Sequence, residues 1–347
     1  MPAHPSLTAP RTATDPLAAL LDRVAVPPPG VPRRVWVKSL VGPVREFLAR
    51  PGKRFRGRLV TLAWHLAGRQ DEPPAELPLL VELLHAGSLI VDDIEDESVQ
   101  RRGRAALHRL VGLPVALNAG NWLYFWPLTL LGDIGLTPAV ELRLHRATSA
   151  AIRQCHEGQA LDLTARVGDL HPDDLHAVAL AVSERKTGGL MGLAAELGAA
   201  AAGADGATVT AAAAFGVSLG VGLQMQNDLA ELTGAAGPLK HPEDLVHGRV
   251  TWPWVWAAER LPAQAFDSLQ VRGAKLTDGH GDAAALARDL LTALGPDPAA
   301  PVRDWLAATF ADLSGIVHAS PALDEVRDEI ARLERKYAEH DAPKGPL

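Results

Sequence analysis

Cysteine is almost absent from this chain of 347 residues: Cys155 is the only one. A single thiol excludes an intrachain disulfide framework and a cysteine zinc cluster, and it fits a reducing compartment, so a cytoplasmic location is expected. Aromatic residues make up only 5% of the chain. Segments that are both β-branched and alternating are few, so strand signals are sparse. The 34 Lys and Arg form no polybasic tract and the net charge is -7. Neither nucleic acid nor an anionic membrane surface is therefore the expected partner. The N-terminus, MPAHPSLTAPRTATDP, has no apolar h-region and is no secretory signal. Residues 1–16 read as a disordered leader. Uncharged runs at 110–132 and 207–225 would permit a membrane span by length alone. Pro114, Asn118, Asn121 and Pro127 interrupt the first, and Gly, Ala and Thr weaken the second. Both are read as buried helices, with no stable membrane insertion.

What the chain does contain is Ala and Leu at helical spacing, in a composition that is 47% hydrophobic. Breaks fall at 27–32, 72–74, 135–138, 171–174, 203–206, 234–238 and 295–301. No linker is long enough to force a boundary and no solenoid-type repeat appears. The expectation is one all-α domain over residues 17–342. The Ala-rich run 199–214 reads as two helix ends around a GADG turn. Residues 322–340 read as an amphipathic helix.

The chemistry concentrates in residues 86–103, AGSLIVDDIEDESVQRRG. Asp92, Asp93 and Asp96 sit at i, i+1 and i+4, and on a helix Asp92 and Asp96 share a face. Like charges so placed repel unless a cation lies between them. Mg²⁺, which takes hard oxygens and bridges carboxylates to phosphates, suits the pattern. A solvated acidic face is the commoner fate of such a motif taken alone. Arg101 and Arg102 follow, and His85 stands two turns before Asp92. Upstream, PGKRFRGR places Lys53, Arg54, Arg56 and Arg58 around a turn, where a bound anion would relieve the crowding. An ordinary basic turn is the competing interpretation. Downstream, HEGQALDL carries Gln159 and Asp162, and SERKTGGL carries Lys186 and Thr187. LGVGLQMQNDLAEL holds Gln224, Asn227, Asp228 and Glu231, with Asn227 and Glu231 again at i, i+4. PLKHPEDLVHGRVTWP carries Lys240, Asp244, Arg249 and Thr251 in what reads as a loop.

Taken in series from about residue 51 to 253, these segments resemble the trans-isoprenyl (polyprenyl) diphosphate synthases. The resemblance implies a single-domain antiparallel helical bundle around a deep apolar cavity, with the two acidic motifs facing each other across its mouth. It implies three Mg²⁺ ions, with Asp92, Asp93, Asp96, Asn227, Asp228 and Glu231 as metal ligands. It implies that Arg101 contacts the allylic diphosphate and that Lys53, Arg56, His85 and Arg102 hold the diphosphate of isopentenyl diphosphate. Lys186, Lys240 and Arg249 would cradle the departing diphosphate. Gln159, Asp162, Thr187 and Gln224 would line the pocket near the reacting carbons. The implied partners are isopentenyl diphosphate, an allylic prenyl diphosphate and a second copy of the chain.

The second motif departs from the family's usual DDxxD: Asn227 brings a neutral oxygen and Glu231 a longer carboxylate. An Asn there resembles class I terpene cyclases, but the spacing of their set is not met, because Ala235 stands where an acid is needed. A synthase-fold cyclase and a non-catalytic partner subunit remain the alternatives to chain elongation. Gly87 and Ser88 read as small residues leaving room for a growing chain above Leu84 and Val81. That implies products of about fifteen to twenty-five carbons at one helical turn per step, and a shorter product from Gly87→Phe.

Overall fold

The computed structural model describes residues 15–52, 54–234, 243–317 and 320–341, with side chains to residue 332. Among these the protein is all-α apart from one hairpin of two-residue strands. Its contacts divide it into two compact units: residues 1–53 with 82–133, and residues 54–81 with 134–347.

In the first unit the Pro16–Val24 helix starts where the Asp15 side chain accepts from Leu17 N, with Pro at its first position. Arg33–Trp36 runs through a π-turn, Val37–Val41, into Gly42–Leu48. Pro43 explains that turn. It has no N–H to donate and its ring would strike an i−4 carbonyl, so the ladder widens by a residue. The second half of the Glu76–Glu95 helix lies in this unit. Leu107–Val111, Leu113–Phe125 and a 3₁₀ stretch, Trp126–Asp133, complete it. Phe47, Ile90, Leu107, Leu123 and Leu131 are its buried apolar centre.

Gly87 falls at a close approach inside this unit. A Cβ there would stand 2.9 Å from both Gly120 O and Leu123 Cβ. The space beside Gly87 is filled by the Leu113–Phe125 helix, and the expectation of an open lining for a growing chain is corrected accordingly. Gly87→Phe is now expected to cost about 3 kcal/mol of stability by overpacking. Thermal unfolding with product analysis of any folded fraction checks this; a stable variant with shorter products would restore the original expectation.

The second unit is organised on Gly189–Ala201, a helix whose Leu190, Met191, Leu193, Ala194 and Leu197 are all buried. Apolar residues all round mean that it is enclosed by neighbours. Small residues let those neighbours come close. A Cβ on Gly198 would meet Val60 O of the Phe55–Leu66 helix at 2.1 Å, and one on Gly216 would meet Met191 O at 2.4 Å. The Ala-rich run does end one helix and begin the next: Gly203 turns at positive φ, and Asp205 caps Gly206–Thr233 by accepting from Thr208 N. Gly206–Thr233 is long and apolar enough to cross a membrane by length and composition. Its glycine seam packs closely against Met191 and Gly188, and half of its most apolar stretch is buried against other helices. Trp252–Arg260 then brings Trp252, Trp254 and Trp256 into the core, with Trp254 edge-on to Phe266.

Candidate active site

In the first unit the acids lie where the Glu76–Glu95 helix stops. Asp92 and Asp93 occupy its last turn, and Asp96 N donates to Asp92 O. Glu97 N donates to Ile94 O and Ser98 N to Asp93 O, with Glu97 at φ 52. This pair of bonds is a Schellman stop, carrying Glu where Gly is usual. The left-handed backbone is strained for any L side chain. Glu97→Gly is therefore expected to stabilise the protein by about 0.5–1 kcal/mol net of glycine's greater unfolded entropy, read as a higher thermal midpoint.

Of the three acids, Asp93 points inward, 100° round from Asp92, and is fully buried. Its Oδ1 accepts from Arg101 Nε at 2.6 Å and is ion-paired with Arg101 Nη2. Its Oδ2 is buried without a hydrogen-bond partner. Burial pushes the Asp93 carboxyl above its ordinary range, the Arg101 charge opposes this, and Asp92 adds to it. Arg101 Nη2 also lies 3.3 Å from Asp92 Oδ2, so the arginine expected on a diphosphate here neutralises the acids themselves. Asp92 and Asp96 keep partial exposure.

Arg101 belongs to a hairpin that the sequence does not announce. Gln100–Arg101 pairs antiparallel with Arg104–Ala105 through a turn in which Arg102 (φ 54) and Gly103 (φ 74) are both left-handed. Arg102 then lies against Gly52 of the basic segment: a Cβ on Gly52 would stand 3.0–3.2 Å from three guanidinium atoms. Glycine gives the guanidinium its room there, and a side chain at this position would press it aside. Burial, opposed by Glu82 and reinforced by Arg101 and Arg50, lowers the Arg102 pKa from its usual value. His85 is half-buried on the same helix as the acids. Lys53 lies outside the described residues.

The second unit gathers the remaining candidates. The Pro172–Val182 helix widens into a π-turn, Ser183–Gly188, that carries Lys186 and Thr187. It is gripped on both sides by glycine. A Cβ on Gly158 would meet Lys186 N at 2.6 Å, and one on Gly220 would meet Gly188 Cα at 2.6 Å. The π-turn thus aims Lys186 at Asp162, whose Oδ2 accepts from Lys186 Nζ at 2.6 Å and from Arg249 Nη1 at 3.2 Å. Thr187 Oγ1 donates to Gln224 Oε1, and Gln224 Nε2 donates to Asp228 Oδ1, both at 2.7 Å. Trp252 N donates to Asp228 Oδ2 at 3.0 Å. Burial raises the Asp228 pKa to about 7. The bonds from Trp252 and Gln224 oppose that rise, and the charges of Asp162 and Glu231 add to it.

Asp244 differs from the loop that the sequence suggests. It lies in a one-turn helix, Glu243–Val246, with its backbone N–H donating to Glu231 Oε1 at 2.8 Å. Its carboxyl is pushed well above the usual range by burial and by Glu231 and Asp228, with Arg249 opposing. Asp244 therefore joins Asp162 and the other candidates of this unit by position. The signal in the sequence is weak: Asp244 stands five residues before Arg249 in a segment rich in both signs. Asn227 is exposed and Gln159 is half-buried. Arg56, in the first turn of Phe55–Leu66, is close enough to Cys155 to act on its thiol. Burial nevertheless holds that thiol up at about 11. Lys240 lies outside the described residues.

Among the described residues no three acids, histidines or cysteines are gathered tightly enough to cage a metal. Mg²⁺ does not require such a cage, because it keeps waters and takes substrate phosphates with one or two carboxylates. The orphan Asp93 Oδ2 and the crowded acids around Asp228 fit a divalent cation in each unit.

All-α architecture with acid-rich helix ends, each set among arginine or lysine, defines a class of protein that handles polyphosphate. Residues 37–281 match the polyprenyl synthetase family, and the chain belongs to that family of trans-prenyltransferases. It is 32% identical over 228 residues to a geranylgeranyl pyrophosphate synthase of Eremothecium gossypii, a match covering 63% of this chain and 70% of that protein. It is 30% identical over 200 residues to a geranylgeranyl pyrophosphate synthase of Geoglobus acetivorans, covering 57% of this chain and 61% of that one. With several such relatives the chain thus spans somewhat under two thirds of their length. Its fold is similar to a decaprenyl diphosphate synthase from Rhodobacter capsulatus, with TM-score 0.76, 24% identity and coverage of 92% and 94%. It is also similar to a polyprenyl synthase from Caulobacter crescentus CB15, solved with calcium and isoprenyl diphosphate, with TM-score 0.72, 23% identity and coverage of 92% and 93%.

Proposed function

We propose that this protein condenses isopentenyl diphosphate with an allylic prenyl diphosphate to give a longer prenyl diphosphate. The observation that carries the reading is the existence of separate sets of cations. Arg101 stands on the first acids, Arg102 lies against Gly52, and Lys186 and Arg249 converge on Asp162. Two diphosphate substrates need more than one such set, whereas a cyclase handles one diphosphate.

In this reading Mg²⁺ is held by Asp92, Asp93 and Asp96 and by Asn227, Asp228 and Glu231. When bound, it supplies positive charge to the leaving diphosphate. Arg101 in the first unit, and Lys186, Arg249 and Lys240 in the second, add fixed positive charge to diphosphate. Thr187 and Gln224 are locked by their mutual hydrogen bond and present a fixed polar edge to the reacting carbons. Lys53, His85 and Arg102 of the first unit hold the second diphosphate, and in the second unit Arg56 offers diphosphate a cation and Gln159 a polar lining. Exclusion of water protects the allylic cation, and holding both substrates in register lets the alkene attack. The reading includes a cytoplasmic homodimer. Leu110, Leu113 and Phe125, all exposed, supply apolar surface for the second copy.

Incubation of the purified protein with Mg²⁺ and an allylic diphosphate, with and without isopentenyl diphosphate, tests the reaction class. Longer diphosphates formed only with both substrates are expected; hydrocarbon formed from the allylic substrate alone would refute the reading in favour of a cyclase.

A pH effect follows from the second acids. Asp228, raised to about 7, holds its proton in the folded state over a range where the unfolded carboxyl has lost it. The folded state then binds more protons, so stability of the metal-free protein falls as pH rises from about 4 to about 7. Asp244 acts in the same direction. Mg²⁺ with pyrophosphate is expected to raise the thermal midpoint more at pH 8 than at pH 6. An equal rise at both would remove Asp228 from the metal site.

A further inference from the structure

The hairpin that carries Arg101 and Arg102 has two residues in each strand, and a two-stranded ribbon of that size does not hold itself in water. Its placement must come from outside. Arg50 reaches both strands at once: Nη1 donates to Arg101 O at 3.2 Å and Nη2 to Ala105 O at 2.9 Å. Its side chain is 0% exposed. The charge is balanced by Glu46, whose Oε2 accepts from Arg50 Nη2 at 2.7 Å and from Nε at 3.2 Å. The guanidinium also sits over the Phe47 ring, 5.1 Å from its centroid. Glu46 Oε1 is ion-paired with Arg104 Nη1 at 3.2 Å, without hydrogen-bond geometry, and this is a third tie to the same hairpin. All of these residues lie in one compact unit.

We infer that Arg50, held by Glu46, is a positioning residue that fixes the two-arginine turn and so sets where Arg102 meets a diphosphate. The fork geometry of arginine is what this task needs. Two N–H groups on separate nitrogens of a rigid plane span two carbonyls on neighbouring strands, a fixed spacing that the single nitrogen of an ammonium lacks. Arg101 has a further anchor in hydrogen bonds and ion pairs to Asp93 and Asp92, whereas Arg102 is placed by the turn, by the cleft at Gly52 and by the more distant charge of Glu82. Loss of Arg50 therefore falls on Arg102 first. The inference rests on the condensation reading for its kinetic consequence, and on contacts alone for its structural one.

The test compares wild type with Arg50→Ala, Arg50→Lys and Glu46→Gln, by hydrogen exchange over residues 99–106 and by steady-state kinetics. Arg50→Ala is expected to speed exchange in the hairpin alone. It should raise the KM for isopentenyl diphosphate about tenfold, as expected for loss of a well-placed charge-assisted bond, with a much smaller change in kcat. Arg50→Lys should fall between Arg50→Ala and wild type in both readouts, and Glu46→Gln should shift both in the same direction. Hairpin exchange unchanged in Arg50→Ala would overturn the inference. So would exchange raised throughout the protein, or kcat falling with KM unchanged, since those mark a general structural loss. A wild type that makes no condensation product would instead defeat the functional reading, and the exchange comparison would still decide the clasp.

Discussion

Asp92→Asn is expected to lower the condensation rate by about 10²–10³, the usual loss when one preorganised group is removed from charge developing in a transition state. Asp92 is the acid that combines partial exposure with a place on the first motif's open face, one turn from Asp96. Asn keeps its size and one oxygen but removes the charge that makes a carboxylate a Mg²⁺ ligand. The fold should tolerate the change, because Arg101 keeps its shorter contact with the buried Asp93. The loss should appear equally in kcat and kcat/KM, the mark of an interaction made in the transition state, and the Mg²⁺ concentration for half-maximal rate should rise. A variant with wild-type kcat and unchanged Mg²⁺ dependence would remove Asp92 from the metal site.

Asp162→Asn carries the second large effect, here on stability and anion affinity together. One carboxylate oxygen serves both Lys186 and Arg249, and the Asp162 and Arg249 side chains are nearly buried. Removing the shared anion leaves two cations repelling each other with little water to screen them. Breaking such a pair costs about 3 kcal/mol. An anion arriving from solution restores the balance. Inorganic pyrophosphate should therefore raise the thermal midpoint of Asp162→Asn more than that of wild type. An unchanged midpoint together with an unchanged pyrophosphate shift would show that Asp162 does not organise these cations.

The two acidic motifs and the helical class were legible because helical periodicity is a short-range signal. Asp92 and Asp96 at i, i+4 and the GADG break at 203–206 required no tertiary information. The inward turn of Asp93 was harder to see, since one residue of offset rotates a side chain by 100° into the core. The hairpin at 100–105 escaped because two-residue strands leave no alternation to detect, and Arg102–Gly103 lacks the usual Asn–Gly of such turns. The π-turn at Ser183–Gly188 has no propensity signature either. Only the glycines at 158 and 220, distant in sequence, show why the chain is wide there. Gly87 illustrates a general ambiguity: a small residue makes room, and the sequence does not say whether a ligand or a neighbouring helix fills it. Asp244 and Asp162 gained their importance from long-range charge contacts that no local pattern encodes.

The claim on which the rest depends is that each acidic motif holds diphosphate through divalent metal. Calorimetric titration of inorganic pyrophosphate into wild type, Asp92→Asn and Asp228→Asn, each with Mg²⁺ and with a chelator, tests it directly. The account predicts tight binding by wild type only with Mg²⁺, and weaker binding by each variant. Equal affinity with and without the metal, or variants that bind as well as wild type, would contradict it.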